Sequence, residues 1–361
     1  MTEHWCQFDA DSLGERVSSW GFPRSHAPAI LRHFYARGGD LSGIEGRIGR
    51  RLLGLLCELI PPISSRVAHR HESTDGTAKL LIEFPNGGSV EAVLMPGYRP
   101  GRAAACVSSQ VGCAMGCDFC ASTLAGLQRN LAAHEIVEQF LHLAAEARRQ
   151  DRRITSLVFM GMGEPMHNLD AVLAAIPKIA DPNLGGVGWR QVTVSTVGIV
   201  PGIERLADAD LNVHLALSLH AADDDLRSRI VPMNKRYPID RILPAARRFY
   251  ERTHRVVTIE WCLIRDVNDS IGQADRLAEL LRVYGLTRAH VNVIPFNPIG
   301  TSLRGQTYRR PEPEAVDSFI ARLRGGNVVC HRRDVRGDDV SAACGQLKLA
   351  GSSSPSAGLC R

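Results

Sequence analysis

The sequence predicts an α/β protein with a parallel sheet, open or rolled into a partial barrel, preceded by a small helical unit and a β-hairpin. Three observations support this. Apolar strand segments alternate with amphipathic helical ones from about residue 103 onward. A 361-residue chain that is 44% hydrophobic can fill one large core, and Gly 33 and Pro 19 are ordinary counts. Successive strand candidates run into short polar or glycine-containing stretches, where parallel α/β folds collect their functional groups.

Taken in order, residues 1–58 read as the helical unit, with Pro28-Ala-Ile-Leu-Arg-His-Phe-Tyr35 its clearest apolar-periodic stretch. Residues 59–98 hold a polar turn, His71-Glu-Ser-Thr-Asp-Gly76, then the alternating segments 78–84 and 89–95. The linker Pro85-Asn-Gly-Gly88 marks these as a hairpin. Residues 99–347 form the main domain, with strands expected over 103–109, 155–160, 191–195, 213–218, 256–262 and 290–294. Helix 132–149 places Ile136, Val137, Phe140, Leu143, Ala144 and Ala147 at helical spacing, and 239–250 and 273–282 are amphipathic as well. Residues 348–361, rich in Ser and Gly, are expected to be disordered.

Composition narrows the class. No apolar run reaches the ~18 residues of a membrane span. Met1-Thr-Glu-His-Trp-Cys6 has neither a basic start nor an apolar core, so no export signal is expected. Ten cysteines, several of them clustered, point to a reducing cytoplasm and to metal or redox chemistry, not to a disulfide scaffold. The net charge of +5 is mild, but arginines gather near both ends of the chain, at 47–70 and at 309–336. They could form one phosphate-binding face or be solvated on separate surfaces.

The most informative motif is Gln110-Val-Gly-Cys-Ala-Met-Gly-Cys-Asp-Phe-Cys120. Its C-x3-C-x2-C spacing puts Cys113, Cys117 and Cys120 on one loop after a strand. Iron–sulfur clusters usually take four thiolates, so three leave one iron open, the feature that separates catalytic from structural metal sites. A structural zinc site recruiting Cys106, seven residues upstream, is the competing reading, although only one C-x2-C pair is present. Later strands end at Gly161-Met-Gly-Glu-Pro165, Ser195-Thr-Val-Gly198, Ser218-Leu-His220, Cys262 and Pro295-Phe-Asn-Pro298. The two glycines of the first would let a ligand approach the backbone, and Glu164 can accept a bond from an ammonium. Cys262 is expected to be a core residue. Cys344, beside Gly345, sits where a turn could present its sulfur; burial as a small hydrophobe is the alternative for both Cys344 and Cys106.

Cys106-Val-Ser-Ser-Gln-Val-Gly-Cys113, Gly161-Met-Gly-Glu-Pro165, Ser218-Leu-His220 and Ala343-Cys-Gly-Gln-Leu347 together resemble the RlmN/Cfr family of radical S-adenosylmethionine (SAM) RNA methyltransferases, over about residues 75–347. The resemblance implies a partial (β/α)6 radical SAM barrel. Cys113, Cys117 and Cys120 would hold one [4Fe-4S] cluster, whose open iron chelates SAM. Gly163 and Glu164 would meet the SAM amino group, and Ser195, Ser218, Leu219, His220 and Asn297 would line the rest of that site. Cys344 would carry the methyl group as S-methylcysteine, Cys106 would resolve the intermediate through a transient disulfide, and Glu91, 15 residues before Cys106, would be the proton acceptor. The Pro96–Arg102 stretch is longer than in the family.

The implied reaction is methylation of an adenine ring carbon in rRNA or tRNA. The partners would be the RNA and an electron donor such as flavodoxin or ferredoxin, with the enzyme a cytoplasmic monomer. Gly126-Leu127, Asp181-Pro-Asn-Leu184 and Thr196-Val-Gly-Ile-Val200 lean toward Cfr-type C8 modification. Phe296-Asn-Pro298 and Arg336-Gly-Asp-Asp339 lean toward the RlmN-type C2 modification, which is favoured. A radical SAM enzyme acting on a small molecule, and a zinc-containing nucleic-acid module, are the other classes open to the sequence.

Overall fold

The computed structural model describes residues 4–60, 63–333 and 336–348. Among these the strands are β1 Arg66–Glu72, β2 Ala78–Glu83, β3 Ser89–Pro96, β4 Arg102–Cys106, β5 Gln110–Gly112, β6 Leu127–Asn130, β7 Arg153–Phe159, β8 Val192–Thr196, β9 His214–Ser218, β10 Val257–Leu263, β11 His290–Pro295 and β12 Val329–Arg332. One ten-stranded sheet runs in the order β1-β2-β3-β4-β7-β8-β9-β10-β11-β12, and β5 pairs with β6 separately. From β4 to β12 every neighbouring pair is parallel. The β1–β2, β2–β3 and β3–β4 pairs are antiparallel.

The six expected parallel strands are present, and two features were not anticipated. The hairpin is no separate linker, because β3 pairs with β4 and continues the barrel sheet. It is widened by β1, which replaces part of the expected polar turn. Its sequence, Arg-Val-Ala-His-Arg-His-Glu, is mostly exposed and lacks an apolar face, so it carried no strand signal. The sheet also gains a seventh parallel strand, β12, only four residues long. Alternation inside the barrel follows the β-pleat: Val192, Val194, Leu215, Leu217, Ile259, Trp261, Val291 and Val293 are fully buried. Helices 133–149, 169–180, 200–208, 239–253, 271–283 and 313–325 cover the outside.

The N-terminal helices (10–19, 26–36 and 50–59) pack around Trp5, which stacks on Phe34 at 4.8 Å and donates its indole N–H to Ile60 O at 3.0 Å. Docking to the barrel is polar. Lys178 Nζ donates to Phe8 O at 2.8 Å, and the buried Glu138 carboxylate accepts from the Ser64 N–H (3.0 Å), the Ser64 hydroxyl (2.9 Å) and the Ser65 N–H (2.9 Å). Residues 349–361 of the expected disordered tail lie outside the described residues. Its first residue, Lys348, is instead pinned, donating its N–H to Glu91 Oε2 at 2.9 Å.

Glu138→Leu removes the acceptor of those amides and leaves them buried without partners. It is expected to destabilise the protein by about 2–4 kcal/mol, measured by denaturant unfolding; an unchanged midpoint would contradict the role given to Glu138.

Candidate active site

The cysteine loop lies between β5 and β6, past the C-terminal end of β4. Its entry requires glycine: Gly112 has φ 77°, and a Cβ there would fall 1.9 Å from Gly126 O. Cys113 N–H donates to Gly126 O, and Cys120 N–H to Cys117 O, both at 3.1 Å. Asp118, between the second and third cysteines, accepts from the Arg304 N–H at 3.0 Å and the Tyr308 hydroxyl at 2.7 Å. Its own N–H donates to Ile230 O at 2.9 Å.

Cys113, Cys117 and Cys120 line an inner chamber of about 150 Å³ with Gly161, Gly163, Glu164, Ser195, Thr196, Ser218, His220, Glu260, Cys262 and Cys344. Several strand-end motifs named from the sequence therefore meet at one place. Two expected members do not line this chamber themselves but lie next to residues that do. Leu219 is fully buried, with its backbone used in pairing. Asn297 lines the neighbouring cavity and donates to Cys344 O at 3.1 Å. Cys262, expected in the core, is buried yet lines the chamber. The glycines of Gly161-Met-Gly163 have a tighter reason than the ligand access expected of them. A Cβ at Gly161 would sit 2.6 Å from Ser108 Oγ, and one at Gly163 (φ 98°) 2.6 Å from Gln110 Cβ, so they let β7's exit pass against the β4–β5 segment.

Arg227 ties the strand ends together. It is fully buried, and its guanidinium donates to Leu219 O (3.0 Å), Val197 O (2.6 Å), Ser218 O (3.1 Å) and Asn234 Oδ1 (2.8 Å). Burial lowers its pKa to about 10, so it stays charged at neutral pH. Burial and that charge push His220 down to about 3. Its Nδ1 accepts the Cys262 N–H at 2.9 Å, which puts the proton of the neutral ring on Nε2. Phe119, from the cysteine loop, packs edge-on to His220 with ring centroids 4.7 Å apart. Arg227 lacks any periodic or motif signal in the sequence, and reasoning from the sequence missed it.

A second cavity, of about 410 Å³, adjoins the chamber and is lined by Cys106, Cys344, Asn297, Arg333 and Leu347, among others. Cys344 lines both cavities, and Gly345, at φ 85°, makes the expected turn. The segment around Cys344 is clasped from two sides. Ala121 N–H donates to Gly345 O (2.7 Å), Ser122 Oγ to Leu347 O (2.7 Å) and Lys79 Nζ to Ser341 O (3.2 Å). Cys106 and Cys344 are free thiols, Cys106 buried and Cys344 exposed to the cavities it lines. Burial and the nearby Cys344 push Cys106 up to about 12, and burial raises Cys344 too. Arg333 pulls both down. Both are therefore neutral in the resting protein, the form least open to oxidation.

Glu91 lies on β3, two residues before Val93, which pairs with Cys106 and lines the second cavity. Its buried carboxylate takes a 2.8 Å ion pair from the buried Lys79 as well as the Lys348 N–H. Lys79 was not singled out from the sequence, since a single lysine in an alternating strand reads as solvent-facing. Several of the arginines gathered near the chain ends sit in ion pairs: Arg66 with Glu83, Arg70 with Glu146, Arg309 with Asp266, Arg310 with Asp338 and Arg322 with Asp275.

The residues present fit an iron–sulfur cluster and an organic ligand. Among the described residues, no group of three or more His, Cys, Asp or Glu side chains converges as a single metal ion requires. Three thiols on one loop facing a common chamber suit a larger thiophilic centre. Glu260 Oε2, buried in the chamber wall, has no hydrogen-bond partner among the described residues and offers an open acceptor to a ligand donor.

This fold and thiolate loop define a radical SAM enzyme, and a family model described as the Radical SAM superfamily matches residues 107–278. A protein of Opitutus terrae named "Probable dual-specificity RNA methyltransferase RlmN 1" is 50% identical over 348 residues, covering 96% of this chain and 97% of its own. The "Probable dual-specificity RNA methyltransferase RlmN" of Moorella thermoacetica is 45% identical and covers 89% of this chain and 90% of its own. The crystal structure of a radical SAM methyltransferase from Sphaerobacter thermophilus superposes with a TM-score of 0.86 at 40% identity, covering 95% of this chain and 98% of its own. The chain belongs to the RlmN family of radical SAM RNA methyltransferases, enzymes that use a [4Fe-4S] cluster and SAM. Among the described residues, no helix is long and apolar enough to cross a membrane.

Glu164 is 2% exposed, and burial raises its carboxyl from the ordinary 4.5 to about 7, against the Val197 N–H, Thr196 hydroxyl and Met166 N–H that favour the anion. Between those two values the folded, metal-free protein holds a proton that the unfolded chain has lost. Its stability is therefore expected to fall as pH rises from about 4.5 through 7. Glu164→Gln should flatten that part of the profile, read by denaturant unfolding at each pH; an unaltered slope would contradict this environment for Glu164.

Proposed function

We propose that this enzyme methylates C2 of an adenine in rRNA or tRNA, with Cys344 as methyl carrier, Cys106 as resolving thiol and Glu91 as proton acceptor. The supporting observation is the position of Cys344, which lines the chamber of the three loop cysteines and the cavity of Cys106 at once. When bound, the cluster and SAM supply the methyl group and the one-electron chemistry that an electron-poor ring carbon requires.

The chain's own groups do the rest. Gly163, Glu164, Ser195, Ser218, Leu219, His220 and Asn297 are assigned to the SAM site, some through backbone atoms. Neutral His220 offers an N–H donor there, and Glu164 a carboxylate for the amino group. The sulfur of Cys344 holds the carbon being transferred, and Glu91 removes the ring proton once that carbon is attached to the adenine. The Cys106 thiolate then attacks the Cys344 sulfur. The S–S bond forms, the bond from that sulfur to the methylene carbon breaks, and its electron pair stays with that carbon, which takes up a proton to become the methyl group of methyladenine. Residues 1–58 are assigned as an accessory RNA-contacting unit, 59–98 as the hairpin that carries Glu91, and 99–347 as the catalytic core. The enzyme is taken to act as a cytoplasmic monomer, reduced by a flavodoxin or ferredoxin. The names of the relatives support C2 over C8.

Expression in a host lacking its own enzyme, with rRNA and tRNA digested separately to nucleosides, is expected to yield 2-methyladenosine. Only 8-methyladenosine, or neither product, would contradict the proposal. Cys344→Ala is expected to abolish turnover, and Cys106→Ala to leave RNA covalently attached to the protein, visible on a denaturing gel; normal turnover by either variant would refute the roles assigned.

A further inference from the structure

Tyr98 is 87% exposed, against 61% for Val283, the next most exposed large apolar side chain described. Such a ring gains nothing from burial where it stands, so packing of the core does not account for it. Its position is well defined. Tyr98 lies on the short connection between β3 and β4, where Gly97 N–H donates to Arg102 O at 2.8 Å and Arg102 N–H to Arg99 O at 3.2 Å. β3 carries Glu91 and β4 carries Cys106, so the loop rides on the two strands that hold the proposed base and resolving thiol.

The surroundings are cationic. Tyr98, Arg99, Arg102, Arg333 and Arg336 all line the cavity that contains Cys106 and Cys344. Arg99 and Arg102 are exposed, and the Arg336 guanidinium lies over one face of the Tyr98 ring, 5.9 Å from its centroid, while the ring as a whole stays 87% exposed. An open aromatic face beside guanidinium groups is the pattern that binds single-stranded nucleic acid, with the ring stacking on a base and the cations meeting phosphates. A ring carbon inside a helical stack is out of reach of a buried sulfur, so the target must be extruded, leaving its neighbour without a stacking partner.

Resting on the RNA methyltransferase reading above, we propose that Tyr98 is the stacking platform for an unpaired nucleobase adjacent to the target adenosine. Arg99 and Arg102 hold the flanking phosphates, and Arg336 backs the ring from its other face.

The test uses the reconstituted holoenzyme with Tyr98→Leu and Tyr98→Phe. Three quantities are read: RNA affinity by filter binding, the KM for RNA, and SAM-dependent methylation of Cys344 without RNA by mass spectrometry. Tyr98→Leu keeps an apolar side chain but loses the π face, and should weaken RNA binding and raise KM roughly ten- to a hundredfold. Tyr98→Phe should stay within about twofold of wild type, and both variants should methylate Cys344 normally. Unchanged RNA affinity in Tyr98→Leu overturns the platform. So does slower reduction by flavodoxin with RNA affinity unchanged, which would assign the patch to a protein partner. A wild-type enzyme that modifies no RNA would fail the functional reading itself, a result separate from either.

Discussion

The architecture depends on one coordination constraint: three thiolates on a single short loop, with no fourth supplied by that loop. Gly112 lets the chain turn into the loop against Gly126, and Asp118 anchors it to Arg304 and Tyr308. The path of the loop is therefore held by backbone and side-chain contacts around the cysteines. A cluster held this way keeps one iron for an exogenous ligand, and the strand ends of the barrel converge on the same chamber to receive it.

Sulfur chemistry and electrostatics are partitioned across the two cavities. In the inner chamber, the buried, charged Arg227 draws the carbonyls of Val197, Ser218 and Leu219 together, and burial, helped by that charge, keeps His220 neutral. In the outer cavity, Arg333 is the cation that opposes the effect of burial on Cys106 and Cys344. The segment that presents Cys344 is held by hydrogen bonds from the cysteine loop, the hairpin and Asn297, each worth only about 1 kcal/mol. A set of weak ties suits the carrier role proposed for Cys344, which lines both cavities.

Much of this was legible in the sequence because the signals were local. The C-x3-C-x2-C loop, the alternating apolar strands and the Gly-Glu turn after β7 all depend on neighbours within a few residues. What the sequence hid were contacts made at long range. Arg227 carries no local signal, and its role exists only where the ends of β8 and β9 meet. Cys262 looked like core, and its chamber-facing position depends on the register of β10 between β9 and β11. Strand β1 lacks an apolar face and is recruited by pairing with β2. Several chain-end arginines have carboxylate partners far away in sequence, as with Arg70 and Glu146.

Mössbauer spectroscopy of protein reconstituted with ⁵⁷Fe, recorded with and without SAM, tests the open coordination site most directly. The account expects a [4Fe-4S] spectrum in which one iron differs from the other three and shifts when SAM is added. Four equivalent irons indifferent to SAM, or a colourless protein carrying stoichiometric zinc, would contradict it.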